Sequence, residues 1–169
     1  MPKLEKEPLN NVIIIKSLSK SLGLPGVRLG YTFSTNQKHI NYFRQNIPIW
    51  NMNSVAENFL EIIIKHRNDI QKSFERTVKD RNTFMDAMGK LSIVKEVLDS
   101  GANFITCELN ITDTKLVEIQ KELLEKHKIY IKNVSSKFDK ENAYLRLAVR
   151  TRLENLNLVN ILDLSLIHI

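Results

Sequence analysis

A four-residue run, Val12-Ile13-Ile14-Ile15, shows no polar alternation and leads directly into a stretch rich in serine and glycine. A short β-branched run of this kind reads as a strand buried on both faces, as in the parallel sheet of an α/β protein. The following segment, Ser17 to Tyr31 (SLSKSLGLPGVRLGY), is punctuated by Gly23, Pro25, Gly26 and Gly30, so it turns rather than continuing the strand. A second short strand is expected over Leu29 to Phe33. The first eleven residues, with Pro2 and Pro8, read as an irregular lead-in.

Helical periodicity takes over next. Residues 36–46 place Ile40 and Phe43 on one face, and Pro48 interrupts them. Asn53 or Ser54 is positioned to cap a helix carrying Val55, Phe59, Ile62 and Ile63. A long helix is predicted from about Asp69 to Lys90, with Ile70, Phe74, Val78, Met85 and Met88 as its apolar stripe and Gly89 as its stop. Then the pattern changes again. Strands are expected at Phe104–Leu109, Ile129–Ile131 and Tyr144–Val149, with a helix capped by Thr112 and carrying Leu116, Ile119 and Leu123. A last helix should start near Arg152, with Leu156, Val159 and Leu162 facing inward. The resulting division is an α/β remnant over 1–70 and a linking helix with a small α+β domain over 71–163.

Composition removes several classes of function. With 43% hydrophobic and 26% charged residues, the chain is an ordinary globular sequence and not a disordered one. One cysteine, Cys107, excludes an internal disulfide, and the four histidines lack metal-ligand spacing, so no metal site is expected. Cys107 reads as a small buried strand residue, and the histidines as surface residues. The excess of 25 Lys and Arg over 19 Asp and Glu reads as dispersed along the chain, against a nucleic-acid partner. No run approaches membrane-spanning length and the start is no secretory signal, so a cytoplasmic location is expected.

The chemistry concentrates in Ser17–Tyr31. A lysine at the end of a buried strand is costly to desolvate, and it belongs there when its amine reacts or meets an anion. Ser17 and Ser19 supply hydroxyls beside Lys20, Gly23 and Gly26 permit close backbone approach, and Arg28 can return to grip a phosphate. Amine, hydroxyls and guanidinium around one pocket suit a phosphorylated aldehyde. The glycine spacing fits neither a dinucleotide fingerprint nor a P-loop. The same spacing also suits a plain strand–turn–helix with a surface lysine and arginine.

The string SLSKSLGLPGVRLGY resembles the Schiff-base lysine signature of class I/II aminotransferases, the fold type I pyridoxal-phosphate enzymes. It is most similar to the histidinol-phosphate aminotransferase and threonine-phosphate decarboxylase group. The resemblance extends through Ile49–Ala56, Ser100–Phe104, Tyr144–Val149 and Glu154-Asn155, covering about residues 10–163. It implies that Lys20 forms the internal aldimine with pyridoxal 5′-phosphate and serves as the acid/base at the substrate Cα. It implies that Ser17, Ser19 and Arg28 hold the cofactor phosphate. It implies that Arg146 clamps the substrate α-carboxylate. Trp50, Asn51 and Asn53 fall in a region that lies near the active site or dimer edge in that family; a capped helix start with an anchoring Trp explains them equally well.

The family's ring-binding aspartate, its asparagine neighbour and its stacking aromatic lie upstream of the lysine. Only nineteen residues precede Lys20, and none is an aspartate. The chain is therefore expected to be the C-terminal part of an enzyme, inactive in isolation. Leu164–Ile169 matches what one reading frame of a sequencing-library adapter would encode, and is expected to be non-native. The implied activity is transamination between an amino acid, or its phosphate ester, and a 2-oxo acid, in a homodimer serving amino-acid biosynthesis. The alternatives are decarboxylation of a phosphorylated amino acid, and a non-catalytic aminotransferase-like binding module.

Overall fold

A computed structural model describes residues 10–138 and 141–167, with the side chains of 165–167 outside the description. The chain divides into two compact units, one ending at Asn68 and one beginning at Asp69. Among the described residues no helix is long and apolar enough to cross a membrane.

The first unit opens with β1 (Ile14–Ser17), which turns through a short 3₁₀ segment at Pro25–Val27 into β2 (Gly30–Phe33). The two strands pair antiparallel, with Ile14 opposite Phe33 and Ser17 opposite Gly30. Helix α1 (Gln37–Asn46) follows, capped by Asn36, whose side chain accepts from the Lys38 N–H at 2.9 Å. Helix α2 (Ser54–Lys65) is capped by Asn53 in the same way, through the Ala56 N–H at 2.9 Å. Both caps satisfy donors that the helix cannot satisfy internally.

Two expectations fail in this unit. Of the Val12–Ile15 run only Ile14 and Ile15 enter the first strand, and it is not buried on both faces: Ile15 is 80% exposed. Within this unit β1 has one strand neighbour, antiparallel, so the covering layers that the apolar run anticipates are not provided here. Trp50 is not an anchor either, since it is 91% exposed in the connection between α1 and α2.

The second unit carries the core. Helix α3 (Arg67–Met88), which starts two residues before the boundary, leads into β3 (Val94–Leu98) and β4 (Phe104–Leu109). Helix α4 (Asp113–His127), the two-residue β5 (Lys132–Asn133), β6 (Ala143–Ala148) and helix α5 (Arg152–Ile167) complete it. The sheet order is β3-β4-β6-β5, and every pairing is antiparallel. Strand periodicity sorts the two faces. Ile105, Cys107 and Leu109 on β4 stand opposite Leu147, Leu145 and Ala143 on β6, and all six are buried in one cluster. Leu116, Ile119 and Leu123 from α4, Phe84 and Met88 from α3, and Val159 and Leu162 from α5 join that cluster.

The helix starts are built by their own side chains. Thr112 caps α4, accepting from the Lys115 N–H at 3.3 Å. At α5, Thr151 and Glu154 form a reciprocal box: the Glu154 N–H donates to Thr151 Oγ1 at 3.4 Å and the Thr151 N–H donates to Glu154 Oε2 at 3.2 Å. The Thr151 hydroxyl, donating to Glu154 Oε2 at 2.6 Å, followed by the Arg150 guanidinium and the Thr151 N–H, lowers the Glu154 carboxyl to about 2.

Three further expectations are corrected. Ile129–Ile131 is not a strand; the ladder to β6 begins one residue later, at Lys132. Tyr130 is 75% exposed, while Ile131 is buried in the core cluster and Ile129 packs against it. The α3 stripe fails in its first half, where Phe74 and Val78 are exposed, and Phe84 supplies core contact that the stripe omitted. Strand β3 was not anticipated. Its sequence, VKEVL, alternates imperfectly because a bulge between Val94 and Glu96 breaks the register. Lys95 sits in that bulge, with its Nζ 2.8 Å from the buried Glu108 carboxylate. As for the tail, α5 continues through Ile167, and His168 and Ile169 lie outside the described residues.

Cys107 is buried as expected, and burial pushes its thiol up to about 12 from an ordinary 9.0. A thiol raised in the folded state adds stability that is complete below the unfolded value and is lost as pH rises through the folded one. Cys107→Ala should therefore flatten the alkaline loss of stability between about pH 9 and pH 12, read by urea melts across that range against the wild-type chain. Leu123→Ala should cost about 2–5 kcal/mol in the same melts, because the side chain is wholly buried and leaves a cavity.

Candidate active site

A cavity of about 590 Å³ runs along the β1–β2 ribbon and α1 of the first unit. Ser17, Ser19 and Arg28 line it together. Strand pairing explains why. Ser17 ends β1 directly opposite Gly30, and the Leu18 N–H donates to the Leu29 carbonyl at 2.9 Å, which carries the pairing one step further. Arg28, one residue on from that bond, lies back beside the serines although it is eleven positions from Ser17.

Gly30 makes that close pairing possible. A Cβ placed there would stand 2.8 Å from the Lys16 carbonyl oxygen, a backbone atom that cannot step aside without moving β1. Gly23 serves differently: its φ of +67° reverses the chain after Lys20 in a conformation glycine adopts without penalty. Gly26 meets nothing and has no such φ, so its expected role in close approach is not seen.

Arg28 itself is left-handed, with φ 57° and ψ 47°. That conformation costs an L-residue about 1–2 kcal/mol relative to the right-handed one. Its guanidinium is oriented by one bond, Nη1 donating to the Pro25 carbonyl at 3.1 Å. The turn before it is tethered by Asn53, which donates Nδ2 to the Val27 carbonyl at 3.2 Å while its Oδ1 caps α2. Asn53 thus couples a helix start to the turn that presents Arg28.

Lys20 departs from expectation in its setting. It is exposed, in the turn just after β1, and is not among the cavity's lining residues, although the neighbouring Ser19 is both lining and buried. The cost of desolvating a buried lysine therefore does not arise at this position. The Ser19 N–H donates to Ser17 Oγ at 3.4 Å, and the Lys20 carbonyl accepts from Gly23 at 3.4 Å, which folds the SLSK segment into a tight turn.

Among the members of the cavity wall that the sequence did not assign to the site are Lys16, Tyr31, Thr32 and Arg44. Lys16 and Tyr31 are paired across the ribbon, and strand periodicity, which sets Lys16 on the face opposite Ser17, did not signal them. Arg44 comes from α1 and has no local signal. Ile40, Phe43 and Ile47 supply the apolar side. Among the described residues no carboxylate lines this cavity. Nor is the positive charge dispersed as expected: through Asn68 there are nine Lys and Arg against four Asp and Glu, while the remaining residues carry sixteen against fifteen. Of the acids in the first unit, only Glu57 and Glu61 fall among the described residues, both on α2, and no aspartate occurs before Asp69.

Arg146 belongs to the second unit, on β6. It sits opposite Thr106 and Lys132, on the sheet face turned away from the core cluster. It is half-buried, and its guanidinium carbon stands 4.8 Å from the Phe104 ring centroid, a cation–π contact that fixes its plane. The Ser100–Phe104 segment is equally ordered, with Ser100 Oγ donating to the Phe104 carbonyl at 2.6 Å and Arg81 Nη1 donating to the Ala102 carbonyl at 3.1 Å. Asn155 is buried and closes the loop after β6, accepting from the Arg150 N–H at 2.9 Å and donating to its carbonyl at 3.0 Å. Among the described residues, no cluster of His, Cys, Asp or Glu is suited to a metal ion. His66 and His127 are exposed as expected, but His39 is half-buried, with Nδ1 3.2 Å from Ser34 Oγ.

The family model for aminotransferase class I and II matches residues 2–162. The chain belongs to this family. It is 34% identical over 149 residues to an L-serine phosphate decarboxylase of Sulfurospirillum multivorans, covering 86% of this chain and 37% of that protein. It is 28% identical over 151 residues to a histidinol-phosphate aminotransferase of Clostridium novyi, covering 89% and 40%. The crystal structure of the histidinol-phosphate aminotransferase from Clostridium acetobutylicum superposes with a TM-score of 0.79 at 26% identity, covering 95% of this chain and 47% of that one. The chain thus spans less than half the length of each of these relatives, and its fold is that of the corresponding part of a fold type I transferase.

The left-handed arginine generates a prediction. Arg28→Gly should stabilise the chain by about 1 kcal/mol in urea melts, because the turn no longer strains an L-residue. It should at the same time weaken phosphate binding measured by calorimetry. No gain in stability would mean that the local packing, and not the backbone conformation, sets the energy of this turn.

Proposed function

We propose that this chain carries the cofactor-phosphate and lysine segment of a pyridoxal-phosphate enzyme that transfers the amino group of an amino acid or its phosphate ester. The single observation behind this is the convergence of Ser17, Ser19 and Arg28 on one cavity that no carboxylate of the described residues lines, with Lys20 next in sequence. Two hydroxyls and a pre-oriented guanidinium suit a phosphate dianion. The fit is to the phosphate end of the cofactor; the first unit offers no aspartate for the pyridine nitrogen.

When bound, pyridoxal phosphate supplies the electron sink that stabilises negative charge at the substrate Cα. The chain's own residues do the rest. Arg28 and the serines fix the anionic end. Lys20, exposed on a glycine-closed turn, offers a mobile amine that holds the aldehyde carbon and moves a proton at the substrate Cα. Arg146, with its plane set by Phe104, is assigned the substrate α-carboxylate. The parent enzyme is read as a cytoplasmic homodimer of amino-acid biosynthesis.

A second reading, decarboxylation of a phosphorylated amino acid, is favoured by the 34% identity to the L-serine phosphate decarboxylase. The same residues serve either reaction, because the bond at Cα that stands perpendicular to the cofactor ring is the one that breaks.

Incubating the chain with pyridoxal 5′-phosphate, reducing with borohydride and mapping peptides should place one adduct on Lys20. Lys20→Ala should yield none, and labelling that persists at other lysines alone would remove Lys20 from the chemistry. In the full-length enzyme, Arg146→Ala should cost a few kcal/mol in kcat/KM for the amino acid, as when a charged pair loses one partner. An unchanged kcat/KM would return Arg146 to a structural role beside Phe104.

A further inference from the structure

The cavity along the β1–β2 ribbon carries more positive charge than one phosphate group uses. Lys16 from β1 and Arg44 from α1 line it in addition to Arg28. Among the described residues neither Lys16 nor Arg44 makes an ion pair, and no Asp or Glu of those residues reaches the lining. Arg28 spends one N–H on the Pro25 carbonyl and keeps the remaining ones for a ligand.

Three cations around one cavity repel one another, and walls of low dielectric, here Ile40, Phe43 and Ile47, strengthen that repulsion. An arrangement of this kind is relieved when anions enter. Arg44 has a second explanation, because it lies in the last turn of α1, where a cation complements the helix carbonyls. Lys16 has none: it projects from a strand opposite Tyr31, whose hydroxyl is a further donor on the same wall.

We propose that Lys16 and Arg44, with Tyr31, form a second anion site in this cavity beside the one made by Ser17, Ser19 and Arg28, so that the first unit receives two anionic groups. The ligand class is a phosphate- or carboxylate-bearing small molecule. At about 590 Å³ the cavity has room for more than one such group. The proposal extends the reading of Ser17, Ser19 and Arg28 as a phosphate site and is tested separately from it.

The experiment is calorimetric titration of the chain with inorganic phosphate at fixed ionic strength. The wild-type chain should take up two phosphates. Arg28→Met should retain one. The Lys16→Met/Arg44→Met double variant should also retain one, the second weakening at least tenfold, while Lys16→Arg/Arg44→Lys should keep both. Lys16 and Arg44 are exposed, so these substitutions are compatible with folding, and far-ultraviolet circular dichroism checks that. Lys38→Met, outside the cavity, should change nothing. Uptake of a single phosphate, lost in Arg28→Met and unaffected by the Lys16/Arg44 variants, would overturn the proposal, as would equal weakening by Lys38→Met. Failure of the cofactor reading would appear elsewhere, as the lack of a reduced adduct on Lys20.

Discussion

How near two backbones can come at Gly30 governs everything in the first unit. The Ser17–Gly30 pairing leaves no volume for a side chain between β2 and the Lys16 carbonyl. That approach turns an eleven-residue separation into a shared wall for Ser17 and Arg28. A wider ribbon would still be a ribbon, but the guanidinium and the hydroxyl would face different space. The remaining devices work around this constraint. Gly23 reverses the chain, Pro25 accepts from Arg28, and Asn53 holds Val27 from the start of α2. The last two are bonds from a side chain to a backbone carbonyl, so the proposed anion site is held by Arg28 and Asn53 as well as by the turn.

The second unit solves a different problem. Its sheet has one face committed to the core, through Ile105, Cys107 and Leu109 against Ala143, Leu145 and Leu147. The alternate positions are then free to be polar or charged without loss of burial. Arg146 occupies one of them, and Glu108 another, held by Lys95 at 2.8 Å and by the Asn142 amide at 2.6 Å. Tyr144 stacks on Phe138 with ring centroids 3.9 Å apart on that same face. A buried carboxylate of this type is tolerable only because its partners stay in reach. The bulge in β3 is what brings Lys95 there.

Legibility followed the range of the interaction. Helix caps at Asn53 and Thr112 and the strand at Phe104–Leu109 were readable because their causes lie within four residues or in simple alternation. The Ser17/Ser19/Arg28 grouping was readable from chemistry and motif, since a turn of glycines had to bring the ends back. What escaped depended on neighbours distant in sequence. Ile15 has the pattern of a doubly buried residue, and only the sheet it joins decides whether it is covered. Phe74 and Phe84 sit on one helix ten positions apart, yet one is exposed and one buried, because the core touches only the end of α3. β3 was hidden by its bulge, and Arg44 by belonging to a helix whose docking no local pattern announces.

The charge distribution connects these points. A positive excess confined almost entirely to the residues before Asp69 gives the first unit a field that the second lacks. Such a field raises the local concentration of small anions and speeds their capture, with an effect that fades as salt rises. It also opposes compactness, since Lys16, Arg28 and Arg44 line one cavity that no carboxylate of the described residues shares. On the proposed anion-binding reading, folding of the first unit and occupancy are linked: what neutralises the cavity also stabilises the ribbon, by an amount set by ligand concentration over its dissociation constant. The second unit, with sixteen cations against fifteen anions and a continuous apolar cluster, requires no such help.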